Sequence, residues 1–272
     1  MRKVVNKRGA IENYFYKNFF VNLSVQNKEK LRSIHTFIFK FLYSPIYSRI
    51  FASDLTKLAL HFGSDKAGSH EYTKTYNEHL KNFRKAKINL LEIGVGGHED
   101  PNFGGHSLRM WKKFFPNGGI FSIDIFDKKS LEEKRIKIFQ GSQDDEKFIQ
   151  DVFKNIDNGV DIVIDDGSHI NMHVIRSFEI IFPLMNSGGI YVVEDTHTSY
   201  TKQIKKNSGK IKVFGGNSDD LNDTSTSIGF FKSLVDCMNY EYHTLEGYKP
   251  SYYDYNIASI SFYKDLVFIY KA

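Results

Sequence analysis

From residue 88 onward, short apolar runs alternate with longer stretches that have one apolar face. The runs at 88–93, 120–124, 136–139, 160–164 and 190–193 predict strands. The stretches 106–115, 144–155, 170–184 and 225–238 predict helices. Regular alternation of this kind argues for a parallel sheet covered by helices on both faces. The tail departs from the rhythm. Ile257 to Tyr263, the pair Lys264-Asp265, and Leu266 to Tyr270 read as an antiparallel hairpin. The expectation is an α/β fold with a mostly parallel, seven-stranded sheet that ends in that hairpin.

The first 87 residues follow another pattern. An irregular arm leads into helix, with Pro45 as a break, and residues 53–60 predict a short helix capped by Ser53 or Asp54. Gly63 to His70 is a polar loop, after which Tyr72, Tyr76 and His79 recur at helical spacing. Residues 1–50 carry ten Lys and Arg against two Glu, whereas the whole 272-residue chain has 37 Lys and Arg against 32 Asp and Glu. The basic character is therefore confined to the N-terminal segment, which also holds Tyr14, Phe15, Tyr16, Phe19, Phe20, Phe37, Phe39, Phe41 and Tyr43. Two readings stand for it. Its helices cover the core or a neighbouring subunit in a homo-oligomer, or they make a peripheral membrane contact through residues 1–50. The expected division is a basic, aromatic helical segment at 1–55 and a catalytic-type domain at 56–272.

Composition narrows the setting. Cys237 is the only cysteine, which excludes an intrachain disulfide and a cysteine-built zinc site. No apolar run has bilayer length and no secretory signal is evident, so the expected location is cytoplasmic.

The chemistry gathers where strands end. Leu90-Leu91-Glu92-Ile93-Gly94-Val95-Gly96-Gly97 is a buried strand running into a glycine turn, where a ligand can approach the backbone. The dinucleotide fingerprint G-x-G-x-x-G fits Gly94 and Gly96 but meets Glu99 at its third position. Glu92, one residue before the turn's last strand position, suits the amino-acid end of S-adenosylmethionine (SAM). The bland alternative is a tight strand-to-helix turn without a ligand. Asp124 ends the next strand, where an acid accepts hydrogen bonds from ribose hydroxyls; it lies beyond the usual spacing of about 20 residues because of an insert from His98 to Arg109. Ser107, within that insert, is placed to cap a helix or to touch the ligand. Ser142 and Gln143 follow the third strand, where Gln143 offers a donor and an acceptor to adenine; the alternative is a helix cap by Ser142 or Asp144.

Ile164-Asp165-Asp166-Gly167-Ser168-His169 and Val193-Glu194-Asp195 form the densest constellation. Carboxylates converging at neighbouring strand ends repel unless a cation neutralises them, and oxygen donors select a hard ion such as Mg2+. Asp166, Glu194 and Asp195 are the expected ligands, with Asp165 turned towards the cofactor. Capping acids at solvated strand ends are the alternative. His169 is the candidate general base, with His173 and His197 weaker candidates.

Gly63-Ser64-Asp65-Lys66, the glycine turn, Ser107-Leu108-Arg109-Met110-Trp111, Asp124-Ile125-Phe126-Asp127-Lys128, Ile164 to His169 and Glu194-Asp195 together resemble the metal-dependent sugar O-methyltransferases of the mycinamicin and macrocin type. The resemblance covers residues 58–200. It implies a Rossmann-like class I SAM methyltransferase fold, with a base at His169 and Mg2+ on Asp166, Glu194 and Asp195. It also implies SAM contacts from Glu92 through His98 and from Ser107, Gln143 and Asp165. Those enzymes carry a large N-terminal auxiliary domain, where this sequence has only the basic segment.

The predicted function is SAM- and Mg2+-dependent methylation of a sugar hydroxyl, on a nucleotide-linked or surface-polysaccharide sugar. The alternatives are an antibiotic sugar of the macrolide type, an RNA methyltransferase, and a non-catalytic SAM-binding protein. No nucleic-acid partner is expected, because the acidic strand ends repel phosphates. The polar segment 201–224 is expected to be a lid or substrate loop.

Overall fold

The computed structural model of the chain describes residues 44–205, 211–216 and 219–272. The expectations for residues 1–43, and with them most of the basic segment, lie outside the described residues. The chain divides into two compact units, residues 1–79 and 80–272.

In the first unit, α1 (Ser44–Ile50) and α2 (Leu55–Phe62) precede α3 (Tyr72–Leu80), which runs to the boundary. Asp54, not Ser53, caps α2 by accepting from Lys57 N at 2.9 Å. Gly63 ends the helix in the left-handed conformation that glycine adopts freely (φ 76°). Tyr47 stacks on His61 with centroids 4.9 Å apart, and the hydroxyls of Thr56 and Thr73 pair at 2.8 Å.

The second unit is built on a seven-stranded sheet. Its strands are β1 (Asn89–Ile93), β2 (Gly119–Asp124), β3 (Ile136–Gln140), β4 (Ile162–Asp165), β5 (Ile190–Glu194), β8 (Ile257–Tyr263) and β9 (Leu266–Lys271). Their order across the sheet is β3-β2-β1-β4-β5-β9-β8. β1 to β5 run parallel, and β9 and β8 close one side antiparallel, as the hairpin pattern predicts. β6 (Gln203–Lys205) and β7 (Ile211–Val213) form a separate antiparallel ribbon inside the segment expected to be a loop.

Both faces of the sheet are covered, which is why its central strands are apolar without alternation. On one face, α5 (Glu146–Lys154), α6 (Asn171–Leu184) and α7 (Ser227–Cys237) bury Ile149, Val152, Phe178, Ile181 and Phe231 against Leu91, Val163, Tyr191 and Val267. Phe178 is the hub, stacked on Phe182 (4.7 Å) and edge-on to Tyr191 (5.1 Å) and Phe231 (5.2 Å). α4 (His106–Phe114) packs elsewhere on the sheet and buries Trp111 and Phe114. At the far end of α6, the buried Lys271 ammonium donates to the carbonyls of Phe182, Pro183 and Met185 at 3.0, 2.9 and 2.6 Å. It thereby satisfies acceptors that a helix C-terminus leaves open.

Local chemistry shifts some element ends. Asp145 caps α5 by accepting from Phe148 N at 3.0 Å, in place of Ser142 or Asp144. Ser107 does not cap α4, because Gly105 stands at that position in left-handed backbone. A short helix, α8 (Tyr252–Asn256), is held ahead of β8 by a reciprocal cap between Ser251 and Asp254.

Candidate functional site

Register places the site. Ile93 is level with Ile123 on one side and with Asp165 on the other, and Asp165 is level with Val193. The C-terminal ends of β1, β2, β4 and β5 therefore form a row, where an open parallel sheet binds its ligands.

The glycine turn occupies the middle of that row. Gly94 N donates to Ile123 O at 2.8 Å, and a Cβ on Gly94 would lie 2.3 Å from the carbonyl oxygen of Asp166. A Cβ on Gly97 would meet Phe103 O at 2.0 Å. At Gly96 (φ 76°) a Cβ would meet nothing within 4 Å. Two of the three glycines thus let backbone pack on backbone, and the third faces open space. Asp124 ties the turn from β2, with Oδ2 accepting from Val95 N and Oδ1 from Phe126 N, each at 2.9 Å.

Glu92 is fully buried at the end of β1, and its Oε2 accepts from Ser107 Oγ at 2.8 Å. Ser107 therefore reaches the site by holding Glu92. The insert is pinned from below by the buried Lys128, whose Nζ donates to Asp100 O at 2.5 Å and Phe103 O at 3.1 Å. His98, at its start, takes φ 48°, an uncommon conformation for a residue with a side chain.

Next to the turn, Asp166, His169 and Asp195 bring ligand atoms within 4.8 Å of one another. His169 Nε2 lies 3.9 Å from Asp166 Oδ1 and 3.7 Å from Asp195 Oδ2. All three side chains are partly exposed, so the cluster opens to solvent. His169 and Asp195 both hold left-handed backbone at φ 54°. Such strain is sustained only where surrounding structure over-determines it, and it concentrates at functional sites. Glu194 precedes Asp195, is buried, and does not join the three-residue cluster at this geometry.

Asp165 and Gln143 turn inward. Gln143 Nε2 donates to Asp165 Oδ1 at 3.2 Å and to Ser177 Oγ at 2.9 Å, and its Oε1 accepts from Ser168 N at 2.8 Å. Tyr191 OH and Gly167 N each donate to Asp165 at 3.3 Å. Burial pushes the Asp165 carboxyl up to about 7, against the lowering effect of these bonds. Both residues brace the loop that carries Asp166 and His169. Ser142 Oγ donates to Asp144, and that bond, with help from His173, holds Asp144 below its ordinary value. His173 sits between Ser168 Oγ (3.1 Å from Nδ1) and Asp144 (3.7 Å from Nε2). His197 is half-exposed and faces Asp265 at 3.6 Å. Among the three histidines read from the sequence, His169 is the one in the carboxylate cluster.

Sequence reasoning missed Lys128 and Asn171. An unusually polar first residue on an apolar helix was the available signal for Asn171, which is 1% exposed. Lys128 ends one of the motifs of the resemblance, but its burial gave no signal, because a lysine near a turn is normally solvated.

The donor set suits a hard divalent cation: two carboxylates face one another and a third precedes one of them. A Cβ on Gly96 would meet nothing within 4 Å, so the turn can take a ligand against its backbone there.

No protein-family model matches the chain. It is 43% identical over 218 residues to the 8-demethyl-8-alpha-L-rhamnosyl tetracenomycin-C 2'-O-methyltransferase of Streptomyces olivaceus, covering 80% of this chain and 54% of that protein. It is 40% identical over 220 residues to the mycinamicin VI 2''-O-methyltransferase of Micromonospora griseorubida, covering 80% and 52%. The demethylmacrocin O-methyltransferase of Streptomyces fradiae is likewise 40% identical, covering 80% and 53%. The chain spans about half the length of these relatives. Among solved structures, a methyltransferase from the mycinamycin biosynthetic pathway in complex with Mg, SAH and mycinamycin VI superposes with a TM-score of 0.72 at 40% identity. That match covers 80% of this chain and 53% of the other. The sheet order with its antiparallel hairpin is thus a Rossmann-like methyltransferase fold.

Proposed function

We infer from this homology, which joins the chain to sugar O-methyltransferases over 80% of its length, that it is itself a SAM- and Mg2+-dependent O-methyltransferase acting on a sugar hydroxyl. The observation that carries the reading is the cluster of Asp166, His169 and Asp195 packed directly behind the glycine turn, with Gly94 against the Asp166 carbonyl. Donor and acceptor sites in that arrangement share a wall.

Each residue has a defined task in this reading. Glu92, fixed by Ser107, binds the amino group of the cofactor, and the backbone at Gly94, Gly96, Gly97 and His98 lies along its length. Asp124 orients the ribose, and Ser142 stands at the adenine end. Gln143 and Asp165 hold the 165–169 loop in position below the cofactor. Asp166 and Asp195, with Glu194 beside them, hold the divalent cation. The bound cation supplies Lewis acidity that eases ionisation of a chelated hydroxyl, and the sulfonium supplies the methyl. His169 Nε2 accepts the proton of that hydroxyl, and the two carboxylates 3.7 and 3.9 Å away offset the positive charge the ring then carries. Side chains on adjacent strand ends would hold the two bound partners in a fixed relation, which would remove much of the entropic barrier.

The acceptor follows from the relatives' names. Those enzymes are named for a rhamnosyl tetracenomycin, for mycinamicin VI and for demethylmacrocin. The macrolide-type alternative therefore has support that the nucleotide-linked and polysaccharide readings lack. The acceptor we propose is a deoxysugar-type unit of a small-molecule glycoside with neighbouring hydroxyls. The test is methyl transfer from labelled SAM, with and without Mg2+, to matched small-molecule glycosides, nucleotide sugars and oligosaccharides. Mg2+-dependent labelling of glycosides supports the reading; labelling of none of the three classes, or equal labelling in chelator, overturns it.

For the described residues, no helix is long and apolar enough to cross a membrane.

A further inference from the structure

The cluster draws its members from two separate segments, the 165–169 loop and the turn after β5. Left to themselves, two carboxylates and an imidazole on independent loops would spread apart. One side chain bridges the segments. Asn171 lies two residues after His169, is 1% exposed, and uses both ends of its amide. Nδ2 donates to Thr198 O at 3.3 Å and to Phe214 O at 2.9 Å. Oδ1 accepts from Ser227 N at 2.8 Å and from Ser199 Oγ at 3.1 Å. Its own N–H donates to Phe214 O at 2.9 Å.

Two of those partners belong to the turn that begins at Asp195. Thr198 folds back on Asp195, with its N–H and its Oγ1 donating to the Asp195 carbonyl at 3.2 and 3.1 Å. The connection from His169 to Asp195 thus runs through Asn171 and the Thr198 carbonyl to the hydrogen bonds Thr198 makes to Asp195 O. It holds Asp195 in its left-handed backbone, at the place where its carboxylate lies 3.7 Å from His169. We infer that Asn171 is a positioning residue that ties the segment carrying Asp166 and His169 to the turn carrying Asp195, and through that spacing sets the affinity of the two carboxylates for a divalent cation. The inference rests on the metal reading above.

Only asparagine meets the requirement at this short reach. Aspartate offers no donor to the two carbonyls, and leucine of the same shape offers neither donor nor acceptor. Residues behind metal ligands typically change metal affinity by about 10- to 100-fold when removed.

The test uses the full chain and Mn2+ as probe, with free Mn2+ read by electron paramagnetic resonance. Asn171→Ala is expected to weaken Mn2+ binding by about tenfold or more, with SAM affinity within about twofold of wild type. Thr198→Val removes only the Oγ1 bond and is expected to weaken Mn2+ binding by a smaller factor in the same direction; it carries the test if Asn171→Ala does not fold. Lys271→Met, at the opposite end of α6, separates positioning from general destabilisation: it lowers Tm and leaves Mn2+ binding unchanged. Wild-type affinity in Asn171→Ala, or in Thr198→Val where the former is unfolded, overturns the inference. An equal loss in Lys271→Met also overturns it. Failure of the wild type to bind Mn2+ overturns the metal reading and this inference together.

Discussion

Gly94 and Asp166 touch through their backbones: a Cβ on the glycine would stand 2.3 Å from the aspartate's carbonyl oxygen. In the proposed function, Gly94 belongs to the turn that faces the cofactor and Asp166 to the cluster that holds the cation. On that reading the contact fixes the spacing that a transferred methyl group would cross.

Gly94→Ala is therefore expected to fail in two ways. Its φ of 95° is strained for any residue with a side chain, and the new methyl collides with backbone that cannot move aside. A loss of at least about 2 kcal/mol of stability is expected, together with loss of SAM binding. Gly96→Ala carries the φ strain without the collision. It should remain folded and lose mainly SAM affinity. Thermal melts and calorimetric SAM titrations of the two variants distinguish the cases; equal behaviour would show that the Asp166 contact is immaterial.

His169→Ala should reduce kcat by about 10^2- to 10^4-fold, the usual contribution of a positioned base, while SAM affinity stays at the wild-type value. Asp166→Asn and Asp195→Asn should instead raise the Mg2+ concentration needed for half-maximal activity. Chelator should silence the wild type, and added Mg2+ should restore it. Retention of a tenth of wild-type turnover by His169→Ala would remove the ring from the proton-transfer step.

Features carried by consecutive residues were legible in the sequence. Apolar runs ending in Gly94, Asp124, Asp166 and Asp195 mark strand tips by themselves, and the sheet's parallel order then aligns them. Features that depend on distant partners were not. The inward turn of Asp165 needs Gln143 and Tyr191, which come from other strands and loops. The cap of α5 fell to Asp145 although Ser142 and Asp144 are equally good capping types, because those two bond each other. The β6–β7 ribbon hides in a polar stretch whose alternation, Ile211-Lys212-Val213, is too short to mark a strand. Left-handed backbone at His169 and Asp195 has no local signature, since neither residue is a glycine.

The Asp165 carboxyl gives a pH dependence with a definite sign. Burial raises it from 3.8 to about 7 in the folded chain. Between those values the folded state binds more protons than the unfolded state, so stability falls as pH rises through the window and levels off above it. The full span corresponds to at most about 4 kcal/mol. Asp165→Asn is neutral at every pH, with its Oδ1 accepting from Gln143 and its Nδ2 able to donate to the Tyr191 hydroxyl in place of the bond Tyr191 makes to Oδ2. Relative to wild type, the variant should gain stability between pH 5 and pH 8, with both proteins in chelator so that no cation binds at Asp166. Urea unfolding at the two pH values measures this; a pH-independent difference would mean that Asp165 is ionised throughout.

Ser107 offers a sharper probe of the donor site than Glu92 itself. Its hydroxyl donates to Glu92 Oε2 at 2.8 Å from the first turn of α4, and Glu92 is buried where few other orientations are open to it. Removing a single hydrogen bond to a charged group costs about 1 kcal/mol or more, or roughly fivefold to tenfold in affinity. Ser107→Ala should raise the Kd for SAM by that factor and leave kcat at saturating SAM near wild type, because no reacting atom is touched. Ser107→Thr, which keeps the hydroxyl, should restore most of the affinity. An unchanged Kd in Ser107→Ala would mean that Glu92 is oriented by other contacts, and a fall in kcat instead would place the serine nearer the transferred methyl than this geometry does.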